Sequence, residues 1–319
     1  MRKLWSFLLG ISPLEASFDR RGFRSGDSDT QRRLELAGRE FLRGYHAALD
    51  KDDVDELAGC LFEGEPETRG FAFEGAAMAL GLLDSLTPWK RNRFRLFLKG
   101  PGASHPYMLH VGLGWAWARL PVSPNRCLAR LDPLLGWLAI DGYGFHEGYF
   151  NWRKYRSGRR THPRLLKGYA ARVFDQGLGR SLWFVESADP AHIAADISAL
   201  DPSRHADLWS GVGLACAYAG RLNLRGLEEL QRVARGFAGE LAQGAAFAAK
   251  TRQRAGNPAA HTELACNVLC GMTASQAAAV TDEKLLDLSA TKDVPGYEIW
   301  RQRIQSEFAR LRVQEVTLT

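Results

Sequence analysis

The chain has 319 residues, of which 45% are hydrophobic and 24% charged, with a formal net charge of +6 and a pI near 9.1. That composition fits a globular chain large enough for one large or two ordinary domains. No stretch approaches the ~18 uninterrupted apolar residues that a membrane span requires, which excludes a transmembrane helix.

The first segment, MRKLWSFLLGISPLEASF, has a basic start and a short apolar run that ends at Pro13 and Glu15. It is too short for a secretory core and reads as an amphipathic arm, residues 1–28, packing on the body, with weak membrane contact as the alternative. Helical periodicity then starts at 29–49, where Leu34, Leu36, Ala37, Phe41, Leu42 and Tyr45 recur. A short helix over 54–64 follows the Asp52-Asp53 pair, and a long apolar helix runs over 71–86. Thr87-Pro88 is a helix start, and Gly100-Pro101-Gly102 a break. Further helices are predicted over 107–120, from Asp132-Pro133 through Ile140, over 145–154 after an interruption at Asp141-Gly142, and as a pair over 163–174 and 177–185. Asp189-Pro190 and Asp201-Pro202 are starts, and helices over 206–219, 225–238 and 238–253 follow. Two short helices fill 260–289, and a polar amphipathic helix covers 296–313. Almost nothing alternates as a strand would. The expected fold class is all-α, about 14–17 helices in stacked antiparallel hairpins, of the TPR-like or α/α-superhelix kind. The helical-repeat domain is placed at 29–290, and a C-terminal helix and tail at 291–319.

Seven of these segments share a glycine followed by small and aromatic residues: Gly44, Gly75, Gly112, Gly148, Gly177, Gly211 and Gly244, at spacings of 31, 37, 36, 29, 34 and 33 residues. That period is what stacked two-helix units produce. A glycine inside a helix costs about 1 kcal/mol relative to alanine. Either tight approach of neighbouring backbones or a ligand groove along one row of helices would compensate. Glu74, Glu147, Gln176, Ser210 and Gln243 each precede one of these glycines, so helices carrying them in phase would turn a polar group to one side. Arg69, Arg119, Arg180, Arg204 and Arg252 are at hand to pair with them, as repeat-to-repeat ion pairs.

The densest polar cluster is DGYGFHEGYF at 141–150, where Asp141, His146 and Glu147 are acid/base candidates. His110 and His46 also sit beside repeat glycines, which points to a histidine-bearing inner surface. The run Asp52-Asp53-Val54-Asp55-Glu56 resembles an aspartate-rich metal motif, but it lies at a helix start with no second motif, where capping accounts for it. Cys60, Cys127, Cys216, Cys266 and Cys270 are an odd set in apolar contexts, read as reduced thiols in a cytoplasmic protein. No zinc spacing, phosphate loop, dinucleotide fingerprint or nucleophile elbow is present, so neither a metal nor another cofactor is expected. Two basic runs, Lys90 to Lys99 and Arg153 to Arg164, would attract an acidic partner.

Several stretches together, among them RGFAFEGAAMAL at 69–80, HVGLGWAWARLP at 110–121, LDPLLGWLAIDGYGFHEGYF at 131–150, DQGLGRSLWF at 175–184 and RHADLWSGVGLACAYAG at 204–220, resemble the bacterial family DUF1702, whose UnbL-type members are encoded in enediyne antibiotic gene clusters. The resemblance implies a role in making or maturing a polyketide core, beside an iterative synthase and UnbV-type and UnbU-type proteins, and supplies no catalytic residues. The expectation is an accessory protein that holds a linear polyene, free or on an acidic carrier domain, in an aromatic-lined helical groove. Trp115, Tyr143, Phe145, Tyr149, Phe150, Trp183 and Trp209 would line it, and Glu74, His110, Asp141, His146 and Glu147 would be the groups for cofactor-independent cyclisation or isomerisation. The alternative is a non-catalytic scaffold that assembles partner proteins, and no nucleic acid is expected in either case.

Overall fold

The computed structural model describes residues 2–87, 89, 92–157, 161–288 and 294–318, with side chains between residues 5 and 312 of that range. It is all-α, with no strand among the described residues. In chain order the helices are α1 (Arg2–Leu9), α2 (Phe18–Arg21), α3 (Ser28–Asp50), α4 (Val54–Phe62), α5 (Arg69–Leu86), α6 (Arg93–Lys99), α7 (Pro106–Ala118), α8 (Pro124–Leu128), α9 (Leu138–Arg156), α10 (Tyr169–Val185), α11 (Pro190–Ser198), α12 (His205–Ala219), α13 (Leu224–Val233), α14 (Ala238–Ala255), α15 (Ala260–Leu269), α16 (Ala274–Glu283) and α17 (Gly296–Leu318).

The starts at Asp189 and Asp201 are made as side-chain caps. In the aspartate-rich run, the Asp53 carboxylate accepts the N–H groups of Asp55 and Glu56, both at 2.9 Å, and caps α4. Asp53→Ala is therefore expected to lower unfolding stability by about 1 kcal/mol, read as a shift in the urea midpoint. No group of three or more His, Cys, Asp or Glu among the described residues is placed to hold a metal ion.

Two expectations are corrected. Asp141-Gly142 does not interrupt a helix: α9 runs through both and is irregular only at Asn151, where φ is −123° and ψ 19°. The pair over 163–174 and 177–185 is one helix, α10, which begins only at Tyr169, and the described residues 161–168 before it are irregular. In both places the glycines, Gly142 and Gly177, are contact residues inside a continuous helix. The start at Pro88 and the boundary at 290/291 lie outside the described residues.

Helices α3, α5, α7, α9, α10, α12 and α14 form one continuous row, each packed on the next. They run in the same direction. Arg172 near the start of α10 pairs with Asp207 near the start of α12, and Trp183 near the end of α10 donates to the Gly220 carbonyl just past α12. Likewise Ser210 bonds Gln243 near the starts of α12 and α14, and the Tyr218 carbonyl accepts from Arg252 near their ends. The connecting helices, such as α4, α6, α11 and α13, return on the outside.

The glycines set the spacing of this row. A Cβ at Gly75 would fall on the Phe41 carbonyl of α3, one at Gly112 on the Glu74 carbonyl of α5, and one at Gly177 on the Asp141 carbonyl of α9. Gly211 meets the Gln176 carbonyl and Gly244 the Ser210 carbonyl in the same way. All are under 3.0 Å, closer than any real Cβ approaches another atom. Most helices of the row carry a second small residue two positions on, at Ala77, Gly114, Gly144, Gly179 or Gly213. Two residues turn an α-helix by ~200°, so the second glycine faces the other neighbour. Gly114 meets the Ala139 carbonyl, Gly144 that of Phe174, Gly179 that of Leu208 and Gly213 that of Leu241. Close approach, with backbone C–H groups against carbonyl oxygens, is thus what offsets the cost of glycine here. On α9 the residues in register are Gly142 and Gly144, and Gly148, which the period singled out, instead meets the Ser181 side chain.

The inner side of the row is covered. Tyr218 of α12 packs on Phe71 of α5, bringing the two halves together. Helix α17 lies along the starts of α10, α12 and α14: Tyr297 meets Gln176 at 3.2 Å, Glu298 pairs with Arg172 at 2.6 Å, and Arg301 pairs with Asp207 at 2.8 Å. The arm covers the ends of α9 and α10. The Arg21 guanidinium donates to the Phe150 carbonyl at 2.8 Å, the Arg24 amide to the Val185 carbonyl at 2.9 Å, and the Arg24 guanidinium reaches the buried Glu186 at 2.6 Å. Tyr45 Oη donates to the Leu9 carbonyl and the Ile11 amide to His46 Nε2, fixing the arm to α3 as well. On α1 itself Phe7 and Leu8 are exposed.

Candidate functional site

Between the arm and the row lies a slot. Its walls are Ile11, Glu15 and Ala16 of the arm, Ala37, Gly38, Phe41 and Leu42 of α3, Phe71 and Glu74 of α5, Trp115 of α7, Phe145, Tyr149 and Phe150 of α9, and Phe184 of α10. Its volume is about 40 Å3, so the space is narrow. The aromatic walls support one another: Trp115 meets Phe145 edge-on at 5.1 Å and Phe41 at 4.5 Å, and Phe145 leans on Phe184 at 5.5 Å. Arg21 of the arm sits over the Phe150 ring at 4.6 Å, so the cover is held by a cation–π contact as well as by hydrogen bonds.

One ionisable group in this wall stands without a partner. Glu74 is 1% exposed, and neither carboxyl oxygen makes a hydrogen bond. Burial pushes its pKa up to about 7, with the Asp141 carboxylate adding to the rise and Arg180 opposing it. The Trp115 indole N–H, also buried, faces this carboxyl but makes no hydrogen bond of normal geometry. Glu15, the other acid in the wall, is neutralised by Arg20 and Arg21, at 3.1 and 2.6 Å.

The remaining sequence candidates divide. Asp141 is fully buried next to the slot, ion-paired with Arg180 and accepting from Gln176 at 2.8 Å. It, and not Glu147, is the α9 residue in phase with Glu74, Gln176, Ser210 and Gln243. Of the five arginines expected as partners, Arg180 ties α10 to α9, Arg204 pairs with Asp175, and Arg119 donates to His146 rather than to an acid. Arg69 and Arg252 bond mainly backbone carbonyls.

His146 and Glu147 sit behind the slot wall. Burial lowers the His146 pKa, which keeps the ring neutral. Nε2 accepts from Arg119 at 3.3 Å, which leaves the proton on Nδ1, 3.5 Å from Glu147. Glu147 accepts from Tyr155 at 2.9 Å and Asn151 at 3.3 Å. The His146 ring touches Trp115 and Phe150 from behind and does not line the slot.

His110 is elsewhere: Nδ1 donates to the Pro106 carbonyl at 2.7 Å and the ring packs on Phe94 of α6. His46, His110 and His146 therefore do not share an inner surface. Among the aromatic candidates, Trp115, Phe145, Tyr149 and Phe150 line the slot. Tyr143, Trp183 and Trp209 do not. Tyr143 stands two residues from Phe145, which turns it to the opposite side of α9, and Trp183 is tied to Gly220. Residues that the sequence did not single out complete the site: Phe41, Phe71 and Phe184, and the arm itself, whose RRGF stretch carries Arg21 and Phe23. Phe23 stands edge-on to Tyr149 at 4.9 Å.

No single helix among the described residues is long and apolar enough to cross a membrane, and the α15–α16 pair that passes by composition is bent by 66°. Over residues 1–308 the sequence matches a family model described as "Protein of unknown function (DUF1702)". No curated protein and no solved structure matches it.

Proposed function

The chain belongs to the DUF1702 family, and from that premise and the slot we propose that it binds a linear conjugated polyene, with Glu74 as its acid/base group, as a cytoplasmic accessory protein of enediyne or related polyketide biosynthesis. The observation that carries this reading is a buried carboxyl without a hydrogen bond in a thin cavity whose wall is mostly apolar and half aromatic. A buried polar group left unpaired costs about 1–3 kcal/mol, and an apolar residue would fill the position at no such cost. A flat, π-rich chain matches thin aromatic walls. A group with its pKa near 7 is suited to give or take a proton at neutral pH. The slot residues would hold and bend the chain while the arm keeps water out. Glu74 would protonate or deprotonate it, with Asp141–Arg180 holding the local field fixed.

A carrier-bound substrate would dock at a basic run. Of the two basic runs, the one from Arg153 lies beside the arm: Arg153 packs against Gly22, and Arg156 bridges Glu186 and Asp196. Lys90, Arg91, Arg159 and Arg160 lie outside the described residues. UnbV-type and UnbU-type proteins would be further partners.

The test is to incubate the purified protein with the polyene released by the cognate synthase and follow mass and absorbance. Conversion by the wild type, and bound but unconverted polyene with Glu74→Gln, is expected. Equal conversion by both would remove Glu74 from the chemistry, and absence of polyene binding would remove the reading itself and favour a scaffold.

A further inference from the structure

Glu74 and Trp115 both line the slot, and neither the Glu74 carboxyl oxygens nor the Trp115 indole N–H makes a hydrogen bond of normal geometry. The nearest permanent charges are committed elsewhere. Arg180 of α10 is bound to Asp141 of α9, and Glu15 of the arm is bound to Arg20 and Arg21. We propose that Glu74 and Trp115 are the polar end of the slot, and that they receive one uncharged carbonyl of the ligand (a ketone, aldehyde, ester or thioester) while rejecting a free carboxylate. The inference rests on the polyene reading and narrows it to a ligand class.

The argument is one of donor and acceptor matching. An indole N–H only donates, and a neutral carboxyl donates through its O–H. A carbonyl oxygen has two lone pairs and accepts both, so one ligand atom satisfies two groups that the protein leaves unpaired. A carboxylate in the same place would stand beside Glu74 and Asp141, where the cation that acts on Glu74, Arg180, is already bound to Asp141, in a cavity too thin to bring its hydration shell along. A cation would forfeit the indole N–H, which cannot accept. The same two donors would polarise a thioester or ketone carbonyl, which places the reactive end of the chain where Glu74 stands.

The experiment uses the full chain and two probes with one chain: cis-parinaric acid and its methyl ester, followed by polyene fluorescence at about pH 6, where Glu74 keeps its proton and the free acid is mostly ionised. The ester is expected to bind at least ten-fold more tightly than the free acid. Glu74→Leu, which fills the same space without a donor, is expected to weaken the ester about ten-fold and leave the weak binding of the acid unchanged or improved. Trp115→Phe keeps a ring and loses the N–H, and the same direction is expected. Equal affinities for ester and acid, or unaltered ester binding by Glu74→Leu, overturn the carbonyl anchor while leaving the slot as a polyene site. Binding of neither probe overturns both.

Discussion

Replacing Gly177 by alanine is expected to destabilise the protein by about 3 kcal/mol or more, at or above the upper end for overpacked cores. The new methyl would meet the Asp141 carbonyl and the Phe145 amide of α9, backbone atoms that cannot rotate away as a side chain can. Relief requires α9 and α10 to separate. That would pull Gly144 off the Phe174 carbonyl, loosen the Asp141–Arg180 pair and open the slot wall at Phe145 and Phe184. Intrinsic propensity points the other way, since alanine is the better helix former by about 1 kcal/mol. Gly59 isolates that term. It is inside α4, and nothing stands within 4 Å of where its Cβ would be. Gly59→Ala should therefore stabilise by about 0.5–1 kcal/mol, in the same urea titration in which Gly177→Ala loses most of its stability. If the two substitutions shift the midpoint alike, interhelical approach is not what the glycines are for.

The same contrast explains what could be read in the sequence. The row of helices was legible because each interface needs a small residue at a fixed phase, and the period of about one hairpin survives in the letters. Which glycine of GYGFHEG faces a neighbour was not legible. Gly142, Gly144 and Gly148 lie within two turns, and only the positions of α7 and α10 show that the first two make the backbone contacts. Reading Asp141-Gly142 as a break followed from local propensity, which the packing overrides. For the site, Trp115, Phe145, Tyr149 and Phe150 were legible as neighbours of the repeat glycines. Tyr143 fails by its phase on α9. Phe41, Phe71 and Phe184 look like ordinary core residues until α3, α5 and α10 are placed around them. The arm's role depends on contacts more than a hundred residues apart, such as Arg21 with Phe150, and nothing local in RRGF announces them.

The second large effect expected is a pH-dependent stability term from Glu74. Its folded pKa is raised from 4.5 to about 7 by burial, with Asp141 of α9 adding to the shift and Arg180 of α10 and Trp115 of α7 opposing it. A carboxyl whose pKa is higher in the folded state binds its proton more tightly there, so folding is favoured most when the group is protonated in both states. The contribution is therefore full below pH 4.5, declines as pH rises and the unfolded chain alone releases its proton, and is gone above about pH 7. At about 1.4 kcal/mol per pH unit, the loss amounts to about 3 kcal/mol. Glu74→Gln cannot ionise and should not show it. The difference in unfolding free energy between variant and wild type should move in the variant's favour by about 3 kcal/mol between pH 4.5 and pH 8. Taking the difference cancels the groups that titrate alike in both proteins, and following its change with pH removes the constant cost of a buried amide. A difference that stays flat across that range would mean that Glu74 is ionised in the folded protein. The slot would then hold a fixed negative charge, suited to a cationic end group and not to a polyene carbonyl.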